Sequence, residues 1–77
     1  MEQKLAKIFH ELFKQDPALL SDGMAPGDIR GWDSLGHLTL VDTLEATFGV
    51  SFQDGDLSEL DSVGSIKKLL RARGVTE

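Results

Sequence analysis

Ser34 and His37 stand three apart in "WDSLGHL", a spacing that puts a hydroxyl and an imidazole one helical turn apart, as a nucleophile and its general base would need to be. A small hydrolase also needs a third group to orient the imidazole and donors for an oxyanion, and the neighbouring sequence supplies neither. His37 reads instead as a partly packed side chain near a helix start, and His10 as a solvated one. Asp54, Asp56 and Ser58 alternate in "DGDLSELDSVGS" as the first ligands of a calcium loop do. Glu59 then falls where that loop needs glycine and Ser65 where it needs a bidentate glutamate, so the pattern does not predict a metal site. No cysteine is present, which removes thiolate ligands and disulfides. Ser34 alone keeps a chemical possibility. If a helix opens there, its free N–H groups and partial positive charge suit an anion such as a phosphate, although Asp33 or Ser34 can equally act as an ordinary helix cap.

The elements that would position Ser34 are legible from the apolar pattern. Leu5, Ile8, Phe9, Leu12 and Phe13 recur at helical spacing, opposite Lys4, Lys7, Glu11 and Lys14, and predict a helix over about 2–14 that Asp16-Pro17 stops. From there to Asp33 runs a long aperiodic connection with Pro17, Gly23, Pro26, Gly27 and Gly31, in which Leu19, Leu20, Met24, Ile29 and Trp32 predict a loop pinned onto the core. A second helix over 34–48 should turn Leu38, Leu40, Val41, Leu44 and Phe48 inward and end at Gly49. Leu35 lies away from that arc, beside Thr39, Asp42 and Ala46, which predicts an exposed apolar anchor next to the serine. Asp42 and Glu45 would steer a basic partner toward it. Asp54-Gly55 predicts a turn, with Phe52 as an anchor and one helical turn near Leu57 to Leu60. The last helix, about Val63 to Arg73, has Ser62 as its cap, Lys67, Lys68, Arg71 and Arg73 toward its end, and Gly74 as its stop.

These stripes predict an all-α fold: a small antiparallel four-helix bundle of three main helices and one short one, with a long loop between the first and second, in a single domain over 1–77. Three stripes that can bury one another predict a monomer. The chain has 77 residues, too few for a large catalytic cleft, and 13 acidic against 8 basic residues give a formal charge of −5. That balance disfavours nucleic acid and anionic membrane as partners. No apolar run approaches a membrane span, and the amphipathic start lacks the continuous apolar region of a signal peptide, which predicts a cytoplasmic protein.

"GWDSLGHLTLVDTLEATFGVSF" resembles the signature of acyl carrier proteins and the related peptidyl or aminoacyl carriers, in which an Asp-Ser-Leu triplet opens the second helix of a four-helix bundle. The likeness extends through the amphipathic first helix, the long anchored loop, the Phe-Gly-Val helix end and "DSVGSIKKLL". It implies that Ser34 is the attachment site of a phosphopantetheine arm taken from coenzyme A, that Asp33 precedes this site, and that Leu35 contacts partner enzymes, with Thr39, Asp42, Glu45 and Ala46 on the same surface. It further implies a carrier, not an enzyme. The partners would be a phosphopantetheinyl transferase and the acyl-loading and acyl-processing enzymes of fatty acid, polyketide or related biosynthesis, with acyl groups held as thioesters. Leu38, Val41, Phe52 and Ile66 are the expected apolar lining for a tucked acyl chain. Gly36 and His37 after the triplet, and only Asp42 and Glu45 as acids in the second helix, look closer to discrete carriers of specialised pathways than to the fatty acid protein. The alternatives are a peptidyl or aminoacyl carrier and a helical interaction module that bears no arm.

Overall fold

The computed structural model describes residues 1–75; the expected domain's residues 76 and 77 lie outside the described residues. Among the described residues are four α-helices, α1 (Glu2–Phe13), α2 (Ser34–Phe48), α3 (Asp54–Leu57) and α4 (Val63–Ala72), and one 3₁₀ turn at Pro17–Leu19. Among the described residues there is no strand beyond an isolated bridge between Pro26 and Ile29. The expected all-helical bundle with its long first loop is therefore the observed fold.

The core is built from the predicted stripes. Leu5, Ile8 and Phe9 of α1 meet Leu40, Val41 and Leu44 of α2 and Val63, Ile66 and Leu70 of α4, and Leu60 closes the assembly. Ile29 and Trp32 bring the long loop into this core, and Trp32 is only 2% exposed. Its indole meets Phe9 edge-on with ring centroids 5.1 Å apart and lies nearly parallel to Phe13 at 6.3 Å. The loop thus hangs from an aromatic cluster at the end of α1.

Backbone hydrogen bonds fasten the same loop to α4. The carbonyls of Met24 and Asp22 accept the N–H groups of Val63 and Gly64, both at 2.9 Å, while the Ser62 hydroxyl accepts from Ser65 N–H at 3.1 Å. Two first-turn donors of α4 are satisfied in this way by residues some forty positions earlier, and a third by the local Ser62 cap. Lys67 completes the attachment with Nζ 2.7 Å from Asp22 Oδ1 and 3.3 Å from Glu2 Oε1.

Three expectations about positions need correction. Leu19 is 64% exposed on the 3₁₀ turn, because Asp16 caps that turn through Ala18 N–H and commits the chain to a tight bend that turns Leu19 outward. Leu38 is 55% exposed. At 100° per residue it falls on the rim of the arc centred between Leu40 and Phe48, so the core does not reach it. The short helix spans Asp54–Leu57 instead of Leu57 to Leu60, because Asp56 Oδ2 accepts the Gln53 N–H at 2.9 Å and fixes the helix start three residues earlier. Smaller differences lie at α1, which ends at Phe13 with Lys14 in the left-handed region, and α4, which ends at Ala72.

Asp56 is buried and also receives Arg73 Nη2, while Arg73 Nη1 donates to the Ser51 carbonyl at 3.0 Å. The Gln53 N–H foremost, and then the Arg73 guanidinium, hold the Asp56 carboxyl below its ordinary value of 3.8 against the opposing effect of burial. A carboxyl whose folded pKa is depressed contributes stability that is complete above the ordinary value and lost as pH falls through the depressed one. Thermal melts should therefore show an acid-side loss of stability below about pH 4 that is smaller in Asp56→Asn, a variant already less stable than wild type at pH 7.

Candidate functional site

Ser34 is the first residue of α2 and is solvent-exposed, and among the described residues no hydrogen bond engages its hydroxyl. The cap belongs to Asp33, whose Oδ1 accepts the Gly36 N–H at 2.9 Å while its carbonyl accepts the His37 N–H at 2.7 Å. Helix geometry leaves the N–H groups of Ser34 and Leu35 ahead of that first bond, so the serine sits at the electropositive end of a 15-residue helix. Asp33 and Ser34 have divided the two roles that the sequence left open between them.

Glycine makes this junction possible. Gly36 packs so closely against the loop that a Cβ there would overlap the Gly31 carbonyl oxygen, and Gly31 itself holds φ at 90°. The chain thus folds back on itself immediately before the serine. The sequence placed Gly36 only among the residues after the triplet that look closer to specialised-pathway carriers; two glycines five apart across a helix start were the available signal of the close approach.

Beside Ser34 lies a groove of about 710 Å³. Trp32, Asp33, Ser34, His37 and Leu38 line one side, and Leu57, Ser58, Leu60 and Asp61 line the other. Of the four residues expected to line an acyl site, Leu38 borders this groove. Val41 and Ile66 are buried among the core side chains and Phe52 packs against them, none of the three on the groove wall. Leu57 and Leu60 stand on the groove wall with Leu38.

His37 does not meet Ser34. Its Nδ1 accepts a hydrogen bond from Trp32 Nε1 at 2.9 Å, and the two rings stack at 6.2 Å with 19° between their planes. The carboxylate of Asp56 is engaged by Gln53 and Arg73, and Asp54–Leu57 forms the short helix α3 with this ion pair at its side. Among the described residues no cluster of His, Cys, Asp and Glu fit to hold a metal is found, and no helix is long and apolar enough to cross a membrane.

On the outer face of α2, Leu35 is 78% exposed, and Thr39, Asp42 and Ala46 are exposed at successive helical spacings from it. Glu45 is not part of this face. It is half-buried, and its Oε2 accepts the Phe52 N–H at 2.7 Å, holding down the connection between α2 and α3.

Comparison with known proteins decides the family. The chain is similar to the solution NMR structure of the holo acyl carrier protein from Geobacter metallireducens, with a TM-score of 0.82 and 32% identity over 94% of this chain and 83% of that one. The chain belongs to the acyl carrier protein family. No protein-family model matches it, and no curated protein does. As an acyl carrier protein it is a carrier and not a catalyst.

Proposed function

We propose that this acyl carrier protein holds acyl intermediates as thioesters on a phosphopantetheine arm joined to Ser34, and delivers them to enzymes of fatty acid, polyketide or related biosynthesis. The observation that carries the reading is the exposed, unengaged hydroxyl at the start of α2, at the mouth of a groove, in a chain of this family. A phosphodiester fits there: the Ser34 and Leu35 N–H groups and the helix dipole favour an anion, and solvent is open on the outer side. The arm supplies a terminal thiol. The chain's own residues present the serine, favour the phosphate charge and offer a groove to what the thiol carries. Incubation with coenzyme A and a phosphopantetheinyl transferase should add one arm by intact-protein mass spectrometry. If the folded protein stays unmodified by several such transferases, the reading fails.

Partner docking is assigned to Leu35, Thr39, Asp42 and Ala46, an apolar anchor with one carboxylate on the same face. Asp42→Lys should slow modification by the transferase several-fold at low salt, and the difference should shrink as ionic strength rises. Equal rates at low salt would remove Asp42 from the interface. Glu45→Gln acts elsewhere, by weakening the tether to Phe52.

A further inference from the structure

One polar contact in the groove wall is not required for carrying an arm. An indole N–H can only donate, so the hydrogen bond from Trp32 makes His37 Nδ1 an acceptor and leaves the ring hydrogen on Nε2. With Nδ1 accepting, Nε2 is the ring's outward donor, and stacking on a 2%-exposed tryptophan restrains the ring. His37 is half-buried and lines the groove that also takes in Ser34, and among the described residues nothing accepts from its Nε2–H.

Leu38, Leu57 and Leu60 give this groove apolar wall, beside the polar side chains of Asp33, Ser34, Ser58 and Asp61. Water can satisfy the Nε2–H while the groove is open. An alkyl chain entering the groove would displace that water and leave the N–H unpaired, whereas a chain bearing an oxygen would replace the lost hydrogen bond. The difference is a selection between cargoes of similar size.

Resting on the reading of Ser34 as the attachment point, we infer that His37 is a positioning residue that donates its Nε2–H to a carbonyl or hydroxyl oxygen of the arm-borne acyl group, so that the groove favours oxo- or hydroxyacyl cargo over plain alkyl cargo. Trp32 acts through His37 by setting its tautomer.

The test compares apo protein, protein bearing the arm alone, and protein bearing butyryl or 3-oxobutyryl groups through hydrolysis-resistant amide analogues, with loading verified by mass. Nitrogen NMR of labelled His37 should show the Nε2–H tautomer in all four. The Nε2–H resonance should move, and its exchange with water slow, with 3-oxobutyryl alone. In the corresponding thioesters, His37→Asn keeps an acceptor for Trp32 but loses the outer donor, and hydrolysis of the 3-oxobutyryl group should quicken about fivefold, the worth of one hydrogen bond. Butyryl hydrolysis should not change. His37→Gln, whose amide reaches the position of Nε2, should restore protection. An Nδ1–H tautomer in apo protein, identical resonances in all four states, a shift already complete with the arm alone, or full protection in His37→Asn would each overturn the inference. A protein that gains no arm by mass overturns the carrier reading itself, a result seen before any cargo is compared.

Discussion

Ser34→Ala should abolish the phosphopantetheine mass increment completely, while Ser62→Ala should still gain one arm. The test is demanding because "DSVG" at 61–64 nearly repeats "DSLG" at 33–36, and each serine stands at a helix start. Their surroundings differ. Ser62 is half-buried; its hydroxyl accepts from Ser65 N–H and donates to Ser65 Oγ at 3.0 Å, and the nearby backbone is tied to Asp22 and Met24. A transferase would have to break a helix cap, typically worth about 1 kcal/mol, to reach it. Ser34 has surrendered the capping role to Asp33 and keeps an exposed hydroxyl. Intact-protein mass spectrometry of both variants, with folding verified by circular dichroism, decides the matter. An increment that persists in Ser34→Ala would place the arm elsewhere and undo the site.

Gly36→Ala should destabilise the protein although alanine is the better helix former. Helix propensity alone would favour the substitution by about 1 kcal/mol. The added methyl, however, would meet the backbone oxygen of Gly31, which cannot rotate aside as a side chain can, and would press on Phe13 as well. Relief requires the loop and α2 to separate. Overpacking of this kind costs about 1–3 kcal/mol, and in a domain this small each net kcal/mol lowers the melting temperature by roughly 4–8 °C. Because Gly36 N–H is also the donor that Asp33 caps, transfer of the arm to Ser34 should slow in the same variant. A melting temperature equal to or above wild type would show that the Gly31–Gly36 approach is dispensable.

The helices were legible because their signals are local. Leu5, Ile8 and Phe9, or Val63, Ile66 and Leu70, announce a buried stripe by spacing alone, and Asp33, Ser62, Gly49 and Gly74 mark ends through chemistry confined to a few residues. The exposed triplet residues, Ser34 and Leu35, were legible for the same reason. What escaped depends on residues far apart in the chain. Glu45 reads as a free surface charge until the Phe52 N–H is found against it. Asp56 reads as part of a turn until Arg73 arrives from the end of α4. Leu38 has the composition of a core residue, but its burial depends on how much surface α3 covers, which no helical wheel contains. The groove was hardest of all, since its far side is built by Leu57 at the end of α3 and by Leu60 in the segment after it, and their approach to α2 is a tertiary arrangement that no local pattern records.

Trp32 is the one tryptophan among the 77 residues, and it is both a wall of the groove and the partner of His37. The chain therefore contains a single intrinsic fluorophore, with no second indole to blur its emission. Its excited state is touched by an imidazole that quenches according to contact and by a space that holds either water or hydrocarbon. Filling that space changes the polarity around the indole directly, and moving His37 changes the quenching. If Ser34 carries its cargo as proposed, arrival and departure of cargo in the groove should register in the colour and intensity of the protein's own light, so that loading can be followed in real time without attaching a dye to the arm it would obstruct.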